Sequence, residues 1–455
     1  MGSCLSAEQG KTQSSMLSSS TSTSSRRFKN RLSNSFFRSY GSPTLDSKRD
    51  EWLQGIPGRM FNNDSSECAS LFTKQGKKGV NQDSMIVWEN FGLNEDTTFC
   101  GIFDGHGPYG HLVSRRVRDS LPLKVLAYWD QISENEYIKE NTMDILMRIK
   151  SSEENLYLDD ECDSPIAHSV NFNERGSNYS EFFKILKEAF LRASRSMDKE
   201  LKNHPYIDSH YSGTTAVILA IQGKNLIMGN IGDSRAVLGT RDENGSLKAI
   251  QMTLDFKPLI KYEVERIIRC RGRVFAVPDE PEVYRVWLPD DDFPGLAMTR
   301  AFGDFCLKDY GLISQPELTY RKLSVRDEFI VLASDGIWDV LSNEKVVDIV
   351  ASSPNQSYAA RCVVDLALRF WRVKYPTSRT DDCAVICLFF NVDSPTVVSS
   401  TASSLENEGI ETSATDVSDI TENETQIASH DWSSLQGMSR ATTMLKLPML
   451  DIPPR

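Results

Sequence analysis

Thr98-Phe99-Cys100-Gly101-Ile102-Phe103 runs directly into Asp104-Gly105-His106-Gly107, so a short apolar run ends on an acid, a glycine and a histidine. A run of this length, aromatic and apolar and closed by glycine, reads as a buried strand that carries Asp104 to its end. The arrangement recurs along the chain. The run 329–333 leads into Asp335-Gly336-Ile337-Trp338-Asp339, the run 226–231 leads into Gly232-Asp233-Ser234-Arg235, and Asp381 and Asp382 stand before the run 383–390. A further strand is expected over 215–221, joined to 226–231 by a hairpin turn at Gln222-Gly223-Lys224.

Helical spacing is clearest over 181–201, where Phe182, Leu186, Ala189, Phe190, Ala193, Met197 and Leu201 recur every three or four residues. Other helices are expected to start near Tyr109, near Ser342 (an N-cap, with Glu344 in the first turn) and near Ser357. Strands and helices interleave without regular βαβ alternation. That pattern predicts an α+β fold of packed sheets flanked by helices. Residues 131–178 are polar and acidic without a sustained period and read as a surface insertion.

The two ends differ from this middle. Residues 1–50 are rich in serine and carry eight Lys or Arg against three acidic residues; residues 393–455 carry ten acidic residues against three basic ones. Neither holds enough apolar surface to offset its ordering entropy, so 1–60 and 393–455 are expected to be disordered segments around a domain at 61–392. The formal net charge of −12 argues against nucleic-acid binding. The nine cysteines lack a repeated C-x-x-C spacing, and the six histidines are dispersed, so neither disulfides nor zinc is signalled. An intracellular protein with reduced thiols is expected.

Ionised carboxylates beside buried strands are costly unless paired or metal-bound. Several converging at one sheet end offer hard oxygen ligands of the kind magnesium and manganese take. A single Asp-Gly is usually a turn. The recurrence of acidic strand ends, one followed by a histidine, is what points to a site. Two such metals about 4 Å apart activate water and clamp a phosphate for in-line attack. That chemistry also needs a cation for the phosphate, which Lys77 or Lys78 could supply, and a general acid, which His106 could supply.

Taken together, the motifs resemble the protein phosphatase 2C family of metal-dependent serine/threonine phosphatases, and its plant branch with an acylated N-terminus in particular. The resemblance covers about 65–392. It rests on Lys78 with Asn81-Gln82-Asp83, Asp104-Gly105-His106-Gly107, Ser212-Gly213-Thr214-Thr215-Ala216, Gly232-Asp233-Ser234-Arg235-Ala236, Leu296-Ala297-Met298-Thr299-Arg300-Ala301-Phe302-Gly303-Asp304, Ala333-Ser334-Asp335-Gly336-Ile337-Trp338-Asp339 and Asp381-Asp382, all in the family's order. It implies a central β-sandwich of two antiparallel sheets flanked by helices, with two Mg2+ or Mn2+ ions at one end. By position, Asp104 would bridge both metals, the Gly105 carbonyl would bind one, and Asp335 and Asp381 would hold the other. Asp83 would stand behind these ligands, Asp233 would serve a weaker third metal, and His106 would be the general acid. Residues 240–294 would form a flap beside the cleft.

This sequence departs from the family pattern at Lys78, where an arginine is usual, at Gln82 for a glutamate, at Phe256 for a histidine and at Asp382 for an asparagine. None of these is a direct metal ligand. The resemblance also implies phosphorylated protein substrates, protein kinases as partners, a monomer, and a role in signalling. A catalytically silent module that only holds phosphoproteins is the rival, and it would be marked by loss of Asp104, Asp335 or Asp381; all three are present.

Met1-Gly2-Ser3-Cys4-Leu5-Ser6 fits a myristoylation site at Gly2. One myristoyl chain binds membrane only marginally. Palmitate on Cys4, together with Arg26, Arg27, Lys29, Arg31 and Arg38 facing anionic lipid, would supply the second signal. The expected location is the cytoplasmic face of the plasma membrane together with the cytoplasm.

Overall fold

The apolar runs are continuous because both faces of their strands are covered. In Asp83–Glu89, Met85 and Val87 point into the space between two sheets, while Ile86 and Trp88 point outward to helices. Thr97–His106 repeats the alternation with Cys100 and Ile102 against Phe99 and Phe103. On the facing sheet, Ile330 and Leu332 point inward and Phe329 and Val331 outward. Strands with two dry faces need apolar residues at every position, so the runs lack a polar alternation.

The computed structural model describes residues 52–53, 55–149, 181–278, 280–376 and 380–390. One sheet runs in the order Arg59–Met60, Asp83–Glu89, Thr97–His106, Ala216–Gln222, Asn225–Ile231, Glu317–Lys322, with Gly213–Thr214 paired to the end of Thr97–His106 and Phe302–Gly303 paired in turn to Gly213–Thr214. The other runs Leu247–Gln251, Arg235–Arg241, Asp327–Ala333, Cys383–Phe389, Ala69–Lys74, Asp64–Ser65. Pairing within both is antiparallel throughout. Helices Gly110–Ile149 and Glu181–Lys202 cover the outer face of the first sheet, and Asn343–Ala351 and Ala359–Lys374 that of the second. This is the α+β sandwich expected from the sequence.

Local signals act where they were read. Gln222 pairs with Asn225 across a two-residue turn, and Gly223 there takes φ 55°. Ser342 caps Asn343–Ala351, its Oγ accepting the Lys345 N–H at 3.2 Å.

Two boundaries need correction. The helix that starts at Gly110 continues to Ile149, so the first part of the expected 131–178 insertion is helical; no glycine or proline interrupts 123–164, and Glu, Lys, Gln and Met favour a helix without an apolar stripe. Residues 150–180 lie outside the described residues. The flap is shorter at its start than 240–294, because Leu247–Gln251 pairs with Arg235–Arg241 as the edge of the second sheet. What remains of the flap is the helix Lys261–Arg269 and a three-stranded sheet of Arg273–Ala276, Tyr284–Trp287 and Pro294–Leu296, with its own small core around Ile267, Val286 and Leu296. Gly105 lies in a strand and Gly336 in the short helix Asp335–Trp338. They are glycine for lack of room: a Cβ on Gly105 would lie 2.4 Å from the Gly110 carbonyl oxygen, and one on Gly336 would lie 1.9 Å from that of Asp382.

The chain divides after Pro395, and Thr396–Arg455 lies outside the described residues, as do Gly2 and Cys4.

Candidate active site

Antiparallel register places Asp83 and Asp104 directly opposite each other at the end of the first sheet. Asp104 sits within its strand, which extends through His106, and not just beyond it. Its backbone is fixed by Thr215, whose Oγ1 accepts the Asp104 N–H at 3.0 Å and whose N–H donates to the Asp104 carbonyl at 2.9 Å. From the second sheet, Ser334 reaches across and donates its Oγ–H to Asp83 Oδ2 at 2.7 Å, while accepting the Ala384 N–H at 3.0 Å. One serine therefore ties the two sheets together at this end and brings Asp335, the next residue, beside the Asp83–Asp104 pair.

The electrostatics show the convergence. Burial pushes the Asp104 carboxyl well above the usual range, and the neighbouring charges of Asp83, Asp335, Asp381 and Asp233 push it further. Asp335 is raised in the same way, by burial and then by Asp233, Asp381 and Asp339. Asp83 is pushed up to about 8 by burial, with Asp382 and Asp381 adding to it against the Ser334 hydrogen bond. Asp233 is raised by burial, although Lys257 opposes the shift. Asp83 Oδ1 and Asp233 Oδ1 are buried without a hydrogen-bond partner. Acidic oxygen donors gathered within reach of one another's charge, two of their atoms left without a hydrogen-bond partner, fit divalent Mg2+ or Mn2+. Among the described residues, no three His, Cys, Asp or Glu side chains close around a single point. Asp381 is held by the Lys78 ammonium.

Two lysines bracket the cluster. Lys78 contacts Asp381 Oδ2 with its side chain 53% exposed to the cleft. Burial disfavours its charge, but Asp381, Asp335 and Asp104 outweigh burial and raise its pKa above that of free lysine. Lys77 is not drawn into these contacts; its backbone N–H donates to the Thr380 carbonyl at 2.8 Å. On the other side, Lys257 Nζ lies 3.7 Å from both Asp233 Oδ2 and Asp339 Oδ1.

His106 Nε2 lies 2.6 Å from Asp304 Oδ2, and its Nδ1 has no partner. Burial favours the neutral ring, yet the charge and hydrogen bond of Asp304 outweigh it and raise the pKa above the ordinary histidine value. Asp304 is itself held by its N–H to the Ser212 carbonyl at 3.0 Å, in a left-handed conformation at φ 51°. Sequence reading assigned no role to Asp304, Lys257 or the Asp382 carboxylate. Asp304 follows Phe302–Gly303, a strand too short to leave a periodic signal, and nothing local pairs it with His106. Phe256, the departure from a family histidine, is fully buried, with the Arg300 guanidinium carbon 3.8 Å from its ring centroid.

Comparison with known proteins gives one answer. Residues 109–370 match the family model described as Protein phosphatase 2C. The chain is 52% identical over 413 residues to "Probable protein phosphatase 2C 33" of Arabidopsis thaliana, an alignment covering 89% of this chain and 83% of that protein. It is 51% identical over 369 residues to "Probable protein phosphatase 2C 66" of Oryza sativa subsp. japonica, covering 81% and 67%. The crystal structure of serine-threonine phosphatase 2C from Toxoplasma gondii shares its fold, with a TM-score of 0.58 at 23% identity over 74% of this chain and 100% of that one.

Proposed function

The chain belongs to the protein phosphatase 2C family, whose members are serine/threonine protein phosphatases and depend on metal, and on that premise we propose that it hydrolyses phosphoserine and phosphothreonine in proteins at the cleft of Asp104, Asp335 and Asp381, with two Mg2+ or Mn2+ ions, while tethered to membrane. The observation that carries this reading is the convergence of acidic side chains at one end of the sandwich, where Asp83 and Asp104 stand opposite each other in register and Ser334 ties Asp335 beside them. Asp104, the Gly105 carbonyl, Asp335 and Asp381 would hold the two ions, with Asp83 behind them and Asp233 toward a weaker third. Bound there, the ions would supply positive charge for the phosphoryl oxygens and acidify the attacking water.

The chain's own residues do the rest. Lys78, exposed on the cleft, meets the phosphoryl oxygens as a point charge. His106 gives a proton to the departing serine or threonine oxygen. With Nε2 engaged by Asp304, the proton leaves from Nδ1, the nitrogen without a partner. The Asp304 carboxylate favours the charged ring, the form a general acid requires.

Purified full-length protein should release phosphate from a phosphoserine peptide with Mn2+ and stop, reversibly, in chelator. Full turnover in excess chelator would overturn the two-metal reading. Membrane attachment is supported by Gly2, Ser6, Cys4 and the basic residues that follow. Gly2→Ala should move the protein from the membrane fraction to the soluble one, and Cys4→Ser should do so in part. Unchanged fractionation of Gly2→Ala would overturn acylation as the anchor. No helix among the described residues is long and apolar enough to cross a membrane. The cytoplasmic face of the plasma membrane and the cytoplasm are the proposed locations, and signalling phosphoproteins and their kinases the proposed partners.

A further inference from the structure

Loop 76–82 leaves the second sheet after Ala69–Lys74 and enters the first at Asp83–Glu89, crossing the carboxylate end of the sandwich with Lys78 at its middle. Both ends of this loop hang on one side chain. Asp382 Oδ1 accepts the Gly76 N–H at 2.7 Å, and Asp382 Oδ2 accepts the Gln82 N–H at 2.8 Å. The Asp382 residue is buried. Gln82 is fastened on its other side, its carbonyl accepting the Gly105 N–H at 3.2 Å and the Ser114 hydroxyl at 2.6 Å. Gly76 is pressed so closely that a Cβ there would lie 2.3 Å from the Thr380 carbonyl oxygen.

Lysine is a flexible stem, so its ammonium is aimed only as well as its backbone is held. Two short hydrogen bonds to one buried carboxylate hold that backbone strongly. An amide of the same shape would accept at one oxygen only and turn an N–H2 toward the other backbone N–H. We propose that Asp382 is a positioning residue, a clamp that closes loop 76–82 and so aims Lys78 at the phosphoryl group. The proposal rests on the reading above in which Lys78 meets the phosphate.

The test uses the full-length, Mn2+-loaded protein carrying Asp382→Asn, Lys78→Ala, Lys78→Arg, or Asp382→Asn combined with either. Hydrogen exchange over 75–83 and trypsin cleavage after Lys77 and Lys78 read the loop. The KM for a phosphopeptide and the inhibition constant of inorganic phosphate read its aim, and calorimetric Mn2+ titration reads the neighbouring Asp381. Asp382→Asn should quicken exchange and cleavage and raise KM and the phosphate constant about 10-fold, with kcat and Mn2+ affinity nearly unchanged. Added to Lys78→Ala it should do nothing more. In the Lys78→Arg background its effect should shrink, since a planar fork keeps its bidentate geometry on a looser loop. Normal exchange in Asp382→Asn beside an impaired Lys78→Ala would overturn the clamp alone. A phosphate constant unmoved by Lys78→Ala would overturn the phosphate role of Lys78, and the proposal with it. Effects that multiply in the double variant, or a Mn2+ affinity that falls with the phosphate affinity, would make Asp382 a support of Asp381 and not of Lys78. If Asp382→Asn does not fold, Asp382→Ser serves in its place under the same criteria.

Discussion

The cleft and the flap each bury carboxylates, and they treat them in opposite ways. In the flap, Glu263 is fully enclosed and meets Arg266 at 2.7 Å and Arg300 at 2.7 Å, with the Thr299 hydroxyl donating at 2.6 Å. Burial alone would raise its pKa, but the two guanidinium groups outweigh burial and hold it down to about 2. In the cleft, Asp104 and Asp335 are half-buried, yet the charges that act on them most are other carboxylates and their pKa values rise. The protein supplies the flap's acid with its own cations and leaves the cleft's acids short of them. The first arrangement is structural; the second is a place for something to bind.

The largest effect is expected where that shortage is used. Asp335→Asn should cut Mn2+-dependent phosphopeptide turnover by about 10⁴-fold, because several kcal/mol of transition-state charge stabilisation goes with the ligand. The chelated protein should melt no lower than the parent, since a like charge has been removed from the cluster. A lower melting temperature in chelator would break the comparison at the cleft.

Glu263→Gln should do the reverse. It leaves the half-buried Arg266 and Arg300 without the enclosed carboxylate they meet and should destabilise the flap by about 3 kcal/mol. Hydrogen exchange across Lys261–Arg269 and Pro294–Leu296 should quicken while the sandwich strands stay protected. Uniform loss of protection would show that flap and sandwich open together.

His106→Ala should slow phosphopeptide hydrolysis by about 10²-fold. Hydrolysis of an aryl phosphate, whose leaving group departs without a proton, should suffer far less. Equal losses on both substrates would assign His106 a structural role.

The smallest effect is the flap's response to acid. The folded pKa of Glu263 lies below its unfolded value of 4.5, so its contribution is present above pH 4.5 and is lost as pH falls toward about 2. Exchange in the flap should accelerate over that window, and Glu263→Gln should flatten the dependence.

What could be read from the chain alone follows the same division. Asp104, Asp335 and Asp381 were legible because each adjoins an apolar run, so strand identity and acid position came from one local pattern. Packed sheets were legible because doubly buried strands are apolar at every position, and the two-sheet sandwich was what the family resemblance implied. Asp304 and Lys257 were not, since pairing His106 with Asp304 or Asp233 with Lys257 depends on how distant loops fold back. Asp382 was visible only as an odd residue beside Asp381; its two acceptor contacts join it to positions near the start of the domain. The Gly110–Ile149 helix runs into the expected insertion because a polar helix carries no periodic signal.

The strand order of the second sheet has a consequence for biosynthesis. Cys383–Phe389 is an interior strand, hydrogen-bonded to Asp327–Ala333 on one side and to Ala69–Lys74 on the other. While the ribosome is still making the domain, those two neighbours face a gap, and each offers an open edge of the kind chaperones shield. Asp381 and Asp382 arrive with the strand that fills it. Emergence of that strand therefore completes the sheet, brings in Asp381 and fastens the Lys78 loop in a single late step. A nascent chain halted before it would carry nearly all of the domain's mass and none of its catalysis.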